Sequence, residues 1–234
     1  MRGTFSEKQD IREQPAYGIT EAARYLRVPL STIRWWTSGR SYHVETGHTK
    51  VRPIIEAPNE GSILSFINLI EIYVLDAIRR KHSIPFPKVQ TAVQYLKKHF
   101  NSRHPLADAE FETDGINLFI QKFEHFINVS DDGQLAMREI LKARLQRIDR
   151  DPKGLPIRLY PFIRSADPVE PKFVVIDPYV AFGRPSIAGT RITTVSIAER
   201  FRAGESILAL AEDYARSSDQ IEEAIRCELH SEAA

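Results

Sequence analysis

Pro29 separates two short segments that each carry helical spacing, Ile19-Thr20-Glu21-Ala22-Ala23-Arg24-Tyr25-Leu26 and Leu30-Ser31-Thr32-Ile33-Arg34-Trp35-Trp36. Proline cannot extend the first helix, because its nitrogen has no proton to donate and its ring clashes with the preceding turn. The chain is therefore predicted to place two short helices here, joined by a tight turn. Thr20 is a candidate cap for the first helix, with Ala23 and Leu26 turned inward, and Ser31 or Thr32 for the second. Ile33 and Trp36 are three apart and share one face of the second helix, leaving Thr32, Arg34 and Trp35 on or beside its outer face. A helix held by its neighbour, with hydroxyl, guanidinium and aromatic groups outward, suits the major groove of DNA.

Charge supports that reading locally. The whole chain carries only +1. Between residues 17 and 52, however, six bases (Arg24, Arg27, Arg34, Arg40, Lys50 and Arg52) stand against two acids, Glu21 and Glu45. From residue 196 onward, four arginines stand against nine acids. A polyanion is drawn to the first segment and repelled by the last, so the two ends are expected to serve different partners. Arg24, Arg27 and Arg40 read as a solvated basic rim. Segment 41–58 holds Gly47, two prolines and the alternating run Thr49-Lys50-Val51-Arg52, the pattern of a hairpin with basic side chains on one side.

Farther along, Phe66, Leu69, Ile70, Tyr73, Val74, Ala77 and Ile78 recur at three- and four-residue steps and predict a helix over 62–80. A second amphipathic helix follows from Val89, Ala92, Val93 and Leu96, ending in Lys97-Lys98. Segment 101–165 reads as a small connecting α/β module. Asp114-Gly115 and Asp131-Asp132-Gly133 are its turn signals, a helix is expected near 137–148 and a strand over 155–163. Residues 1–16 lack periodicity and are expected to be a flexible tail, and 166–171 a linker. Phe173-Val174-Val175-Ile176 predicts a strand, followed by three short helices. Capping-box spacing at Ser196/Glu199 and Ser217/Gln220 marks helix starts. The stripes Ile207, Leu210, Ala211, Tyr214 and Ile221, Ala224, Ile225, Leu229 mark inner faces.

The expected fold is mainly α with small β wings, an α+β protein. Its predicted parts are a winged helix-turn-helix domain over 17–100, the module over 101–165, and a trihelical domain with a short strand pair over 166–234. No run of about 18 apolar residues is present, so no membrane span is expected. The N-terminal residues lack the apolar core of a secretory signal, and the lone cysteine, Cys227, has no internal partner, so a cytoplasmic location is expected. The seven histidines show no paired ligand spacing, and neither a metal nor a cofactor is expected. Glu124-His125 and Asp131-Asp132 supply acid–base groups without a nucleophile or metal set, so the chain is not expected to be an enzyme. The aromatics Tyr95, Phe100, Phe111, Phe119, Phe123 and Phe126 leave one alternative, a stand-alone regulator sensing a small ligand in the middle module.

Two segments carry a family resemblance. Ile19-Thr20-Glu21-Ala22-Ala23, Val28 through Trp36 and the run Gly47-His48-Thr49-Lys50-Val51-Arg52 resemble the MerR-type winged helix over roughly residues 17–98. That resemblance implies DNA contacts from Thr32, Arg34 and Trp35, with Lys50 and Arg52 on the backbone; Ser31, and Arg40 if it is more than rim, are further candidate contacts. Arginine forks fit phosphate oxygens and guanine edges, and hydroxyls at a helix start fit phosphates. Neither the long dimerisation helix nor the cysteine cluster of the regulatory members is present.

The second segment, Gly183-Arg184-Pro185-Ser186-Ile187-Ala188-Gly189-Thr190-Arg191-Ile192, resembles a short antitoxin domain with the pattern Gly-x-Pro-x-Ile-x-Gly-Thr-Arg-Ile and a trihelical unit after it. Its signature residues here are Gly183, Pro185, Gly189, Thr190 and Arg191. Physically, the glycines permit turn conformations, Pro185 stiffens the loop, and Arg191 is expected to be buried and hydrogen-bonded. A phosphate loop is excluded, since five residues separate the glycines and no Lys-Ser/Thr follows. The two segments together resemble VapB-type antitoxins with a MerR-like N-terminal domain. This implies operator DNA, a PIN-like ribonuclease toxin that uses carboxylates and a divalent metal, and a homodimer.

Overall fold

Helix α3 (Phe66–His82) is the axis around which the chain folds, and it is covered on all sides through residue 78. Apolar spacing alone predicts one buried stripe and one wet face. In the computed structural model Asn68, Glu71 and Asp76 of that helix are buried as well, each with a partner. Asn68 Oδ1 accepts from the Ser65 backbone N–H and hydroxyl, both at 3.1 Å. Glu71 Oε2 lies 2.9 Å from His104 Nδ1, and Asp76 Oδ2 accepts from Arg144 at 3.3 Å. Arg144 also stacks over the Tyr73 ring at 4.5 Å. Helix α6 (Asp131–Leu145), which packs along α3, brings Arg144 to that pair, and the loop after α4 (Phe86–His99) brings His104.

The structure describes residues 10–44, 47–58, 62–82, 86–124, 131–161 and 171–229, with the backbone alone at 40, 41–44, 47–51, 79–82, 86, 121–124 and 131–133. The fold is mixed α+β and mainly helical. All four sheets among the described residues are two-stranded and antiparallel. Strand β1 (Tyr17–Gly18) pairs with β4 (Ile63–Leu64) and seats helices α1 (Ile19–Leu26) and α2 (Leu30–Ser38) against α3. Strands β2 (Arg40–Val44) and β3 (Gly47–Val51) form the expected hairpin.

One continuous core runs from Tyr17 to Ile176. The helix-turn-helix and the 101–165 segment therefore share one interior and do not form separate domains, because α3 needs side chains from both to cover it. Phe111 and Phe119 meet edge to face within this core, ring centroids 6.1 Å apart, and Tyr95 and Phe100 pack against it. Phe123 and Phe126 lie outside the described side chains. A second core, including Ile187, Ile197, Leu210, Ile221 and Ala224, belongs to α7 (Thr194–Arg202), α8 (Ile207–Asp213) and α9 (Ser218–Leu229).

Several local expectations shift. Gly18, not Thr20, caps α1, because Glu21 reaches back to accept from the Gly18 N–H at 2.9 Å. Helix α2 starts at Leu30 behind Pro29. Asp114-Gly115 is no turn: a π-helical turn (Phe111–Gly115) runs straight into α5 (Ile116–Glu124). Asp131-Asp132-Gly133 opens α6, which ends at Leu145, so Ile148 belongs to strand β5 (Ile148–Arg150). Its partner β6 (Pro156–Leu159) confirms the strand expected there in part. Thr193, not Ser196, caps α7, its hydroxyl accepting from Ser196 N at 3.3 Å, whereas the Ser217/Gln220 box forms as expected.

Residues 10–16 are attached to the body. Arg12 is buried and donates to Asp10 at 2.6 Å and to Asp151 at 2.8 Å, and its carbonyl accepts from Ile67 at 3.1 Å. Residues 1–9 and most of the expected 166–171 linker lie outside the described residues.

Candidate nucleic-acid interface

The turn between α1 and α2 is built by backbone bonds. Arg27 adopts the left-handed conformation (φ 54°), Val28 N donates to Ala23 O at 3.2 Å, and Ile33 N to Pro29 O at 3.1 Å. Ile33 and Trp36 are fully buried, which fixes the rotation of α2 about its axis. Ser31 and Arg34 are consequently exposed, Thr32 half-buried, and Trp35 half-buried with its ring packed on the core. Trp35 thus serves the core as well as the outer rim. The Trp36 carbonyl accepts from both Ile54 and Ile55 N–H, at 2.9 and 3.0 Å, and so returns the chain from the hairpin to the end of α2.

In the hairpin, Arg40 pairs with Val51 and Ser41 with Lys50, which puts Arg40 and Lys50 at its base, beside the end of α2. The basic face expected for its side chains lies outside the described residues. Arg52 follows the hairpin and is exposed, and its carbonyl accepts from Gln90 Nε2 at 2.7 Å. Gln90, on α4, escaped the sequence reading because it contacts the backbone and carries no charge pattern. Exposed Ser31 and Arg34, half-buried Thr32 and the hairpin with Arg52 form a contiguous chain segment able to hold phosphates and reach base edges.

The signature segment forms a compact loop. Strands β7 (Val174–Val175) and β8 (Ser186–Ile187) pair, Thr190 Oγ1 donates to Ile187 O at 2.8 Å and accepts from Ile192 N at 3.0 Å. Pro185 is buried, and its carbonyl accepts from Thr194 N at 2.9 Å. Gly189 has the expected positive φ, 76°, in open space. Arg191 is exposed rather than buried: backbone groups and Thr190 close the loop, so no interior acceptor is left for it.

Gly183 (φ 75°) has a different task. A Cβ there would stand 2.1 Å from the hydroxyl oxygen of Tyr17, so the C-terminal unit meets the helix-turn-helix at this glycine. Burial raises the Tyr17 phenol, keeping it neutral. Next to it, Arg24 pairs with the buried Glu228 at 3.3 Å, and Glu228 also accepts from Thr194 Oγ1 at 2.5 Å. Arg27 donates to Arg226 O at 3.2 Å. Two arginines of the supposed solvated rim therefore hold the acidic C-terminal unit. A cleft of about 220 Å³ remains between the units, lined in part by Glu21, Arg24, Arg184 and Glu228.

Comparison with known proteins fits this arrangement. Residues 15–93 match the family described as "Putative DNA-binding HTH domain". The N-terminal unit is a helix-turn-helix. Residues 174–226 match "Protein of unknown function (DUF433)". The chain is 29% identical over 230 residues to "Putative antitoxin VapB45" of Mycobacterium tuberculosis (strain ATCC 25618 / H37Rv), covering 90% of this chain and 92% of that protein. It is 25% identical over 224 residues to "Uncharacterized protein Rv2308" of the same organism, covering 91% and 90%. The crystal structure of Rv2018 from Mycobacterium tuberculosis shares the fold at a TM-score of 0.68 and 27% identity, over 91% of this chain and 98% of that one. Among the described residues, no helix is long and apolar enough to cross a membrane.

Proposed function

We propose that the protein is the antitoxin of a type II toxin–antitoxin pair, a cytoplasmic homodimer that represses its own operon and neutralises a PIN-like ribonuclease. The DNA-binding part is read as a MerR-like winged helix, with α2 in the major groove and the 40–51 hairpin as the wing along the backbone. The observation that carries this is α2 itself: its inner face is locked by Ile33 and Trp36, so Ser31 and Arg34 are held outward. The antitoxin part is supported by likeness to VapB45 over nearly the full length of both chains. Such a protein needs no catalytic group, metal or cofactor of its own, since covering the toxin's active site suffices.

Gel shifts on the DNA upstream of the coding region test the first part. Arg34→Ala is expected to cost about 1–3 kcal/mol on the operator and narrow the gap to random DNA. Arg52→Ala is expected to weaken binding to all sequences and lower the salt slope by about one. Unchanged affinity in the folded double variant overturns the DNA assignment. Growth rescue on co-expression with the product of the neighbouring reading frame tests the second part, and absence of rescue overturns it.

A further inference from the structure

The turn Ala181–Gly183 is left-handed throughout, with φ of 47°, 56° and 75°. Only the glycine adopts this conformation without steric cost, so the chain holds Ala181 and Phe182 there against their preference. The turn is firmly built. Gly183 N donates to Val180 O at 2.9 Å and Arg184 N to Ala181 O at 3.1 Å, while Asp177 Oδ1 accepts from Tyr179 N at 2.9 Å. Its apex is Phe182, 95% exposed, with Tyr179 61% exposed nearby in the chain. Strain is thus used to hold an aromatic ring in water, which stabilises nothing within the chain and fits a preformed contact with another molecule. Arg184 is exposed beside it and has no ion pair among the described residues.

A second unpartnered spot lies on the same unit. Leu208 on α8 is 74% exposed, and Glu212, one turn later, is exposed without an ion pair among the described residues. Each spot has an apolar centre, with Arg184 beside the first and Glu212 on the same face of α8 as Leu208 at the second. Two Phe182 turns facing one another would bring Arg184 against Arg184, whereas the turn on the α8 spot brings Arg184 toward Glu212. We infer that Phe182 of one copy docks on the Leu208/Glu212 face of α8 in a second copy, the reciprocal contact closing a two-fold dimer. This rests on the homodimer of the proposed function and names its interface.

Sedimentation equilibrium of the full chain, with circular dichroism as a folding check, tests the assignment. The unaltered protein is expected to be a dimer, and Phe182→Ser and Leu208→Lys are each expected to raise the dimer dissociation constant about tenfold or more. Arg184→Glu or Glu212→Arg alone weakens the dimer, and the two together restore it. A monomer at all concentrations overturns the homodimer and the interface with it. A dimer unaffected by both apolar variants leaves the homodimer standing and overturns the interface. Loss of toxin rescue by Phe182→Ser with an intact dimer assigns the turn to the toxin instead, which also overturns it.

Discussion

Gly183 and Gly189 stand six positions apart with nearly the same φ, 75° and 76°, yet their surroundings predict different outcomes. Around Gly189 nothing lies within 4 Å of a built Cβ, so Gly189→Ala is expected to cost only the backbone preference, about 1 kcal/mol. Gly183→Ala adds a collision with Tyr17 at 2.1 Å and is expected to cost about 3 kcal/mol or more. Tyr17→Phe removes the colliding oxygen, but the ring carbon at 2.9 Å remains, so it should restore Gly183→Ala only in part. Thermal melting of the three variants checks this, and equal losses at the two glycines would contradict it. Arg191→Ala, at an exposed position, is expected to leave the melting temperature unchanged.

At the scale of elements, the polar positions of α3 decide where its neighbours sit. His104 reaches Glu71 across the loop after α4, and its imidazole is raised from the ordinary value: burial and Arg103 oppose the charged form, but Glu71's hydrogen bond and charge outweigh them. A raised histidine adds stability that is complete below the unfolded value, about 6.5, and disappears as pH climbs through the higher folded value. The melting temperature is therefore expected to fall as pH rises above about 6.5, and His104→Gln to flatten that part of the profile. A His104→Gln profile as steep as the original would show that another group is responsible. The turn signals that failed, Asp114-Gly115 and Asp131-Asp132-Gly133, failed at this same scale. Phe111, Ile116 and Phe119 all reach the core, and Met137, Leu141 and Leu145 of α6 do likewise, so packing keeps both segments helical despite their local preference.

For the whole molecule, segment 173–176, which holds β7, is the joint between the two cores. Val174 packs with Cys227 of α9, while Ile176 belongs to the first core and exchanges backbone bonds with Leu159 at 2.8 and 3.0 Å. Cutting the chain at 165 removes a fully buried isoleucine from the N-terminal unit, a loss of about 2–5 kcal/mol. Fragment 1–165 is accordingly expected to melt below fragment 1–178, and equal melting would place the boundary before Ile176. Local pattern specifies the two short helices around Pro29, the inward Ile33 and Trp36, the hairpin, the paired strands of the signature and its three helices. These follow from local periodicity, proline and turn chemistry, which act within a few residues. It takes the folded chain to make the helix-turn-helix and the middle segment share a core, to bring His104 and Arg144 to Glu71 and Asp76, and to set Arg24 on Glu228. Those partners lie 33, 68 and 204 residues apart. No local pattern records such a distance; the pairing exists because burying each charge alone would cost more than folding the distant segment onto it.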